Sequence, residues 1–158
     1  MITPSADAAR VRFPPPLLYL LTVLTGVLLH AFVLPLPLAA GGTLRVFLAG
    51  GMGLAAVLLM WGAFGRFRET GQNPKPWTPS PELITNGIYR YTRNPMYVSL
   101  ALLQGAIGAA LANLWIVALV PVSLIAVYFV AVRHEEAYLE EKFGEPYRQY
   151  KKSVRRWL

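Results

Sequence analysis

The chain has 158 residues and no cysteine, is 55% hydrophobic, and carries a formal net charge of +7. This length fits one domain, and the lack of cysteine excludes disulfides, thiolate catalysis and cysteine-based metal sites. A pI near 10.0 would ordinarily suggest a nucleic-acid partner. Here the charge flanks apolar blocks, so attraction to anionic lipid headgroups explains it more simply, and no nucleic-acid partner is expected.

Four apolar stretches without formal charges follow one another, at residues 17–34, 46–65, 97–112 and 114–132. The first, second and fourth are about as long as a helix that crosses the hydrocarbon core of a bilayer. The third is shorter and would need burial among its neighbours, helical flanks or a locally thinner bilayer. The alternative, a soluble helical protein, would show polar faces on its helices. We therefore expect an all-α integral membrane protein with about four transmembrane helices, forming a single domain over residues 1–158.

The first stretch is predicted to become a helix from Leu17, because the prolines at 14–16 suit a first helical turn. Arg10 and Arg12 before it, and the small residues at 39–41 after it, loosely resemble a cleavable signal peptide. The apolar run is longer than such a leader usually has. Retention as the first spanning helix is favoured.

A polar loop over residues 66–95 separates the second and third stretches, and the four prolines between residues 74 and 81 keep it extended or turned. A loop of this length in a small protein is usually functional or disordered. Its aromatic and large apolar residues favour order. A function is therefore sought in this loop.

The third and fourth stretches are joined at Asn113 with hardly any loop, which predicts an antiparallel helical hairpin. After residue 132 the pattern changes to alternating charged and apolar residues. This pattern predicts an amphipathic cytoplasmic C-terminal helix in the tail, residues 133–158, interrupted near Gly144 and Pro146.

The basic residues indicate how the chain is oriented. All but Arg45 of the 15 Lys and Arg residues lie in the N-terminal arm, the loop 66–95 or the tail 133–158. Basic residues near membrane segments stay in the cytoplasm. A multi-pass protein with both termini cytoplasmic is therefore expected.

The hairpin should bring two polar clusters, residues 87–97 and 133–136, to the same depth on the same face. Arg93 could then approach Glu135 or Glu136. Each residue alone has an ordinary explanation, such as membrane anchoring by arginine or an interfacial tyrosine belt. Ionisable groups at a membrane boundary are costly unless paired or solvated, so their joint placement makes them functional candidates.

The sequence LITNGIYRYTRNPMY at residues 83–97 is followed, after the hairpin, by Glu135-Glu136, Phe143-Gly144, Tyr147 and Tyr150. Taken together over residues 81–156, this pattern resembles the isoprenylcysteine carboxyl methyltransferase family and its phospholipid methyltransferase relatives. The resemblance implies an integral membrane methyltransferase that uses S-adenosylmethionine and has no Rossmann domain. It also implies a cofactor pocket at the cytoplasmic ends of the last helices, closed by the C-terminal segment.

The resemblance extends to individual residues. Asn94 stands where the family usually has histidine, and asparagine can form hydrogen bonds but cannot titrate. Catalytic roles are expected for Arg93 and Glu136, with Glu136 as proton acceptor for an amine or hydroxyl. The expected cofactor-binding residues are Gly87, Tyr89, Arg93, Asn94, Pro95, Tyr97, Glu135 and Glu136.

The chemistry of the cofactor agrees with these residue types. A guanidinium binds a carboxylate bidentately, a glutamate can accept from ribose hydroxyls or an amino group, and tyrosine rings attract a sulfonium. The expected acceptor is lipophilic: an isoprenylcysteine-like carboxylate, a phospholipid amine or another hydrophobic small molecule. An NADPH-dependent reductase of the sterol reductase type and a non-catalytic membrane scaffold are the alternatives. No metal site is expected, and the oligomeric state stays open.

Overall fold

The structure, a computed structural model, describes residues 7–158 and is all-helical over that range. Residues 1–6, with the N-terminus that was expected to be cytoplasmic, lie outside this part of the chain. It contains two π-helical turns, Leu29–Val33 and Tyr128–Val132, and a 3₁₀ helix, Gly87–Arg90. The α-helices are α1 (Pro15–Leu28), α2 (Gly42–Glu69), α3 (Pro95–Ala110), α4 (Leu114–Ala118), α5 (Val120–Val127), α6 (Arg133–Phe143) and α7 (Glu145–Ser153).

Three helical stretches within residues 7–158 are long and apolar enough to cross a membrane: Pro15–Val33, Gly42–Glu69 and Leu114–Phe143. Helix α3 is apolar but shorter. The predicted all-α membrane fold is therefore confirmed, with three stretches of spanning length and α3 packed among them.

Helix α3 compensates for its length by burial. Most of its residues are buried, including Tyr97, Gln104 and Ala109. Ser99 donates a hydrogen bond of 2.7 Å to the carbonyl of Ala56 in α2. Of the ways in which a short third span could be accommodated, burial among its neighbours is the one observed.

The predicted boundary between the second span and the loop was wrong. Helix α2 continues to Glu69, so Arg66 and Arg68 lie in its last turn and not in a loop. Cations are favoured at a helix C-terminus because the carbonyl ends carry partial negative charge. Arg66 also forms an ion pair of 2.7 Å with Glu69.

The helical hairpin turns at Asn113, as predicted. Ala112 adopts a positive φ of 50°, and the Asn113 side chain accepts from the amide of Ile116 at the start of α4. The other end of the Asn113 amide donates to the carbonyl of Gly26 in α1 at 3.1 Å. One side chain therefore caps the hairpin and fastens it to the first helix.

Close packing around Ile116 depends on two glycines. A Cβ on Gly26 would lie 2.7 Å from the Ile116 side chain, and one on Gly108 would lie 2.6 Å from Val117. Small residues at such crossings let helices approach closely in lipid. Larger side chains here would separate α1 and α3 from α4.

A buried polar network holds α1 to the hairpin. Ser123 donates to the Gln104 side-chain oxygen at 2.7 Å and lies 2.8 Å from the Thr22 hydroxyl. Gln104 in turn donates to the carbonyl of Ile116 at 3.0 Å. Since polar groups buried within lipid must be satisfied internally, this network specifies how the helices pack.

The helical stretch Leu114–Phe143 is apolar in its first part and charged in its last part. The α-helix of its apolar part, residues 114–132, is interrupted at Leu119. This is two residues before Pro121, at which a kink was expected. Helix α6 carries its charged residues and extends beyond the apolar part. At Gly144, whose φ is 59°, the chain turns into α7, which confirms the predicted interruption.

One end of the molecule, here called the polar end, gathers the arm Asp7–Phe13, the loop 70–94, α6, α7 and the residues after α7. The hydroxyl of Tyr138 in α6 accepts from the amide of Ser80 at 3.0 Å and lies 3.4 Å from the carbonyl of Asp7. Lys142 pairs with Asp7 at 2.6 Å. The arm, the loop and α6 are therefore held together at this end.

Candidate active site

A cavity at the polar end contains most of the predicted site residues. Its volume is about 130 Å³, and it is partly open to solvent. Its walls include seven of the eight residues predicted to bind cofactor, Gly87 being the exception: Tyr89, Arg93, Asn94, Pro95, Tyr97, Glu135 and Glu136.

Arg93 and Glu136 form the link that the hairpin was expected to make. Nη1 of Arg93 lies 3.0 Å from Oε1 of Glu136, and both side chains are largely buried, 8% and 13% exposed. Arg93 precedes α3 and Glu136 lies in α6, so the turn at Asn113 brings these distant residues together. The predicted meeting of the two clusters is confirmed.

Glu136 is held by a second arginine that sequence reasoning did not include. Arg156 donates from Nε and from a terminal nitrogen to the two oxygens of Glu136, each at 2.9 Å. Its guanidinium also lies 4.8 Å from the ring centroid of Tyr128. Glu136 raises the pKa of Arg156 through these hydrogen bonds. Glu136 is thus a carboxylate that two guanidinium groups contact.

Glu135 has a different environment. Its Oε1 accepts a hydrogen bond from the hydroxyl of Tyr97, and its carboxylate forms no ion pair with residues 7–158. Burial raises the pKa of Glu135 to about 7, and the charge of Glu136 adds to this, while the bond from Tyr97 opposes it. A carboxyl that titrates near neutrality beside a cavity is a candidate general base.

The residues after α7 form hydrogen bonds to the segment that carries Arg93. We call residues 154–158 the tail strap. The carbonyl of Arg155 accepts from the amide of Arg93 at 3.0 Å, and the carbonyl of Arg156 accepts from the hydroxyl of Thr92 at 3.1 Å. The strap therefore binds the segment that carries Arg93 through its backbone.

Asn94 also binds the tail strap. Its side-chain nitrogen donates to the carbonyl of Arg156 at 3.0 Å, and its side chain is buried. Asn94 was expected to contact cofactor. It does line the cavity, and one of the two N–H donors of its side chain is used by the tail strap. Pro95, which follows it, begins α3 and is fully buried.

Gly87 does not reach the cavity. It has a φ of 59°, and a Cβ there would lie 2.6 Å from Nε of Arg66. Glycine is therefore required by the turn and by the close approach of Arg66. Gly87 was predicted to bind cofactor; in the structure it starts the 3₁₀ helix that carries Tyr89 and does not line the cavity.

Tyr89, in the 3₁₀ helix, and Tyr147 and Tyr150, in α7, form an aromatic wall of the cavity. The Tyr150 hydroxyl donates to the carbonyl of Tyr89 at 2.7 Å, and the rings of Tyr147 and Tyr150 lie 6.2 Å apart. Burial raises the pKa of Tyr147 to about 12, so its hydroxyl stays protonated. Tyr147 and Tyr150 belonged to the sequence pattern after the hairpin, but their place in the cavity required the fold.

Several other cavity residues had no clear sequence signal. Ala9 comes from the arm, and Lys75, Ser80 and Glu82 come from the loop. The prolines of the loop indicated extended backbone but not what it would cover. Arg156 was counted only as one of the basic residues of the tail.

Comparison with known proteins agrees with this geometry. The chain matches the model of a family described as phospholipid methyltransferase over residues 44–146. It is 36% identical over 72 residues to a protein-S-isoprenylcysteine O-methyltransferase of Schizosaccharomyces pombe, a match covering 46% of this chain and 30% of that protein. A protein of the same name from Dictyostelium discoideum is 34% identical over 79 residues, with the same two shares.

A third relative is an uncharacterized protein of Haemophilus influenzae. It is 43% identical over 67 residues, which is 40% of this chain and 100% of that protein. The chain thus spans all of this relative but only about a third of the two named methyltransferases. Because the family model matches residues 44–146, which is more than half of the chain and includes both sides of the hairpin, the chain belongs to the phospholipid methyltransferase family.

Proposed function

We propose that this protein transfers a methyl group from S-adenosylmethionine to a lipophilic acceptor at the cytoplasmic face of a membrane. The observation that carries the proposal is the cavity at which Arg93, Glu135 and Glu136 come together. Family membership supplies the reaction class.

One unsatisfied atom supports the fit of the cofactor. Nε of Arg93 is buried and finds no hydrogen-bond partner among residues 7–158. An unpaired buried N–H is costly, and a ligand carboxylate would satisfy it with a charge-assisted bond. The amino acid end of S-adenosylmethionine carries such a carboxylate. Because Glu136 is already neutralised by Arg156, Arg93 retains capacity for a second anion.

The remaining groups of the cavity suit the rest of the molecule. Tyr89, Tyr147 and Tyr150 offer aromatic surface to an adenine or a sulfonium. When bound, S-adenosylmethionine supplies an electrophilic methyl group on its sulfonium. The chain supplies orientation, which accounts for much of the rate in a displacement of this kind.

Glu135 is the better candidate for proton acceptor, although the sequence pointed to Glu136. A proton acceptor must be unpaired and must titrate near the working pH. Glu135 meets both conditions, with its pKa raised to about 7 by burial. An amine or hydroxyl acceptor would lose its proton to Glu135, whereas a carboxylate acceptor would need no base. Glu136 instead positions Arg93 and Arg156.

Orientation in the membrane is part of the proposal. The polar end carries nearly all the basic residues and is expected to face the cytoplasm. The chain has no cysteine, so a single introduced one reports its side cleanly. Ser153→Cys at the polar end should react with an impermeant maleimide only after cells are opened. Ala39→Cys at the other end should react in intact cells. The reverse pattern would refute the orientation.

The function is tested by calorimetry on the detergent-purified protein, with S-adenosylhomocysteine and NADPH titrated separately. We expect binding of S-adenosylhomocysteine alone. Binding of NADPH alone would identify a reductase, and binding of neither would favour a scaffold. Arg93→Ala is the matched variant for the first titration, because it removes the proposed carboxylate ligand.

A further inference from the structure

The arm that leads into α1 presents its arginines outward. Ala8, Ala9 and Val11 are buried, 8%, 2% and 0% exposed, whereas Arg10 and Arg12 between and after them are exposed. The small apolar side chains pin the arm to the protein. Arg10 and Arg12 therefore project on the side away from the protein, in positions fixed by the backbone.

These arginines border a groove that is separate from the active-site cavity. The groove has a volume of about 330 Å³, is open to solvent, and shares no lining residue with the cavity. Arg133 lies beside it, with its guanidinium 5.5 Å from the ring centroid of Phe129. The residues that line the groove are Arg10, Arg12, Phe13, Phe129, Val130 and His134.

The cations of this groove lack acidic partners. Arg10, Arg12 and Arg133 form no ion pair with any residue in the range 7–158. The carboxylate of Asp7, on the same arm, is taken by Lys142 at 2.6 Å. The pKa of His134 is lowered mainly by burial, and the charges of Arg133 and Arg10 lower it further.

The apolar part of the groove lies at the membrane boundary. Phe13 comes just before α1, and Phe129 and Val130 lie in the π-helical turn that ends the apolar part of the fourth span. Phe13 and Phe129 are 37% and 52% exposed. Exposed aromatic side chains, Phe13 and Phe129, and guanidinium groups, those of Arg10 and Arg12, thus line the same groove.

We propose that this groove binds an anionic phospholipid, with its phosphate at Arg10 and Arg12 and its acyl chains along Phe13 and Phe129. The charge of the groove complements an anionic headgroup, and its aromatic floor complements lipid chains. A free phosphate would satisfy the arginines but leave the aromatic floor exposed. The proposal concerns a second site and does not depend on the methyl-transfer reaction.

The same arm links this site to the cavity. Ala9 lines the cavity, while Arg10, the next residue, lines the groove. A lipid held by Arg10 and Arg12 would fix this wall of the cavity in place.

The test uses native mass spectrometry of the full chain in detergent, with phosphatidylglycerol and phosphatidylcholine as probes. The variant R10Q/R12Q should lose about 30-fold in affinity for phosphatidylglycerol, from about fivefold for each arginine near a lipid surface. The control R68Q/K152Q removes two exposed cations of the polar end that lie outside the groove, and should change affinity less than threefold. Equal losses in both variants, or no loss in either, would overturn the proposal.

A second arm of the experiment separates lipid from soluble phosphate. F13A/F129A should weaken phosphatidylglycerol binding without changing the affinity for glycerol phosphate. Glycerol phosphate should displace the lipid only at far higher concentration. If it competes as well as the lipid does, or if F13A/F129A binds lipid normally, the groove is a phosphate site and the lipid assignment is wrong.

Discussion

Arg156 and Glu136 are joined by two parallel hydrogen bonds of 2.9 Å, between a residue near the end of the chain and one in α6. The same carboxylate also binds Arg93 at 3.0 Å. The tail strap is therefore fastened to the active site by a side chain as well as by its backbone. Arg156 acts as a positioning residue, because it orients Glu136 and lines no part of the cavity.

Loss of Arg156 should weaken cofactor binding without unfolding the protein. In Arg156→Ala the strap loses its side-chain bond, and Glu136 is left with Arg93 alone, so the affinity for S-adenosylhomocysteine should fall about tenfold. Arg156→Lys should recover only part of it, since lysine cannot form the bidentate pair. Calorimetry measures the affinity. Arg155→Ala, which removes an exposed neighbouring side chain, is the control, and an equal loss there would argue against a specific role for Arg156.

Replacing Glu136 should cost more stability than replacing Arg93. Glu136→Ala leaves the guanidinium groups of Arg93 and Arg156 without their anion, and that of Arg93 is largely buried. Removing one partner of a buried ion pair lowers the free energy of unfolding by about 3–5 kcal/mol. Arg93→Ala leaves Glu136 paired with Arg156. We expect a thermal midpoint near that of the wild type only for Arg93→Ala, and thermal unfolding in detergent distinguishes the two variants. Equal thermal midpoints for the two variants would show that Glu136 does not hold Arg93 and Arg156 in one network.

Cofactor binding should depend on pH through Glu135. Its pKa is raised to about 7, so the carboxyl is neutral below that pH and anionic above it. The anion attracts the sulfonium, so binding of S-adenosylmethionine should strengthen as pH rises through about 7. The charged side chains next to Glu135 at the site are Glu136, Arg93 and Arg156.

Glu135→Gln is the control for that profile. It keeps the hydrogen bond to Tyr97 but cannot ionise, so the ratio of wild-type to variant affinity should increase across this pH range. Taking the ratio cancels any titration of the ligand itself. A constant ratio between pH 6 and 8 would mean that Glu135 does not titrate there.

Asn94 should report on closure of the tail strap. In Asn94→Asp the donor to the carbonyl of Arg156 becomes an acceptor, so two oxygens face each other and the strap should loosen. The amide of Arg93, which donates to the carbonyl of Arg155, should then exchange hydrogen at least tenfold faster. Hydrogen exchange with mass spectrometry of the peptide around Arg93 measures this. Unchanged protection would mean that the backbone contacts hold the strap by themselves.

The amino-acid sequence was sufficient for the membrane fold and for the pairing of the two clusters. Uncharged stretches of spanning length predict helices because buried backbone must satisfy its own hydrogen bonds in lipid. A near-absent loop at Asn113 then leaves an antiparallel hairpin as the only connection, and this places Arg93 beside Glu136. The helix ends were less predictable, since Arg66 and Arg68 extend α2 where charge suggested a loop.

Only the tertiary structure decided how the site residues divide their roles. Adjacent glutamates look equivalent in sequence, yet a helix points them in different directions, so Glu136 meets two arginines and Glu135 meets Tyr97. The contribution of Arg156 depends on a strap that folds back across more than sixty residues of chain to Thr92 and Asn94. Local sequence determines where helices form, whereas partners so distant along the chain are determined by packing.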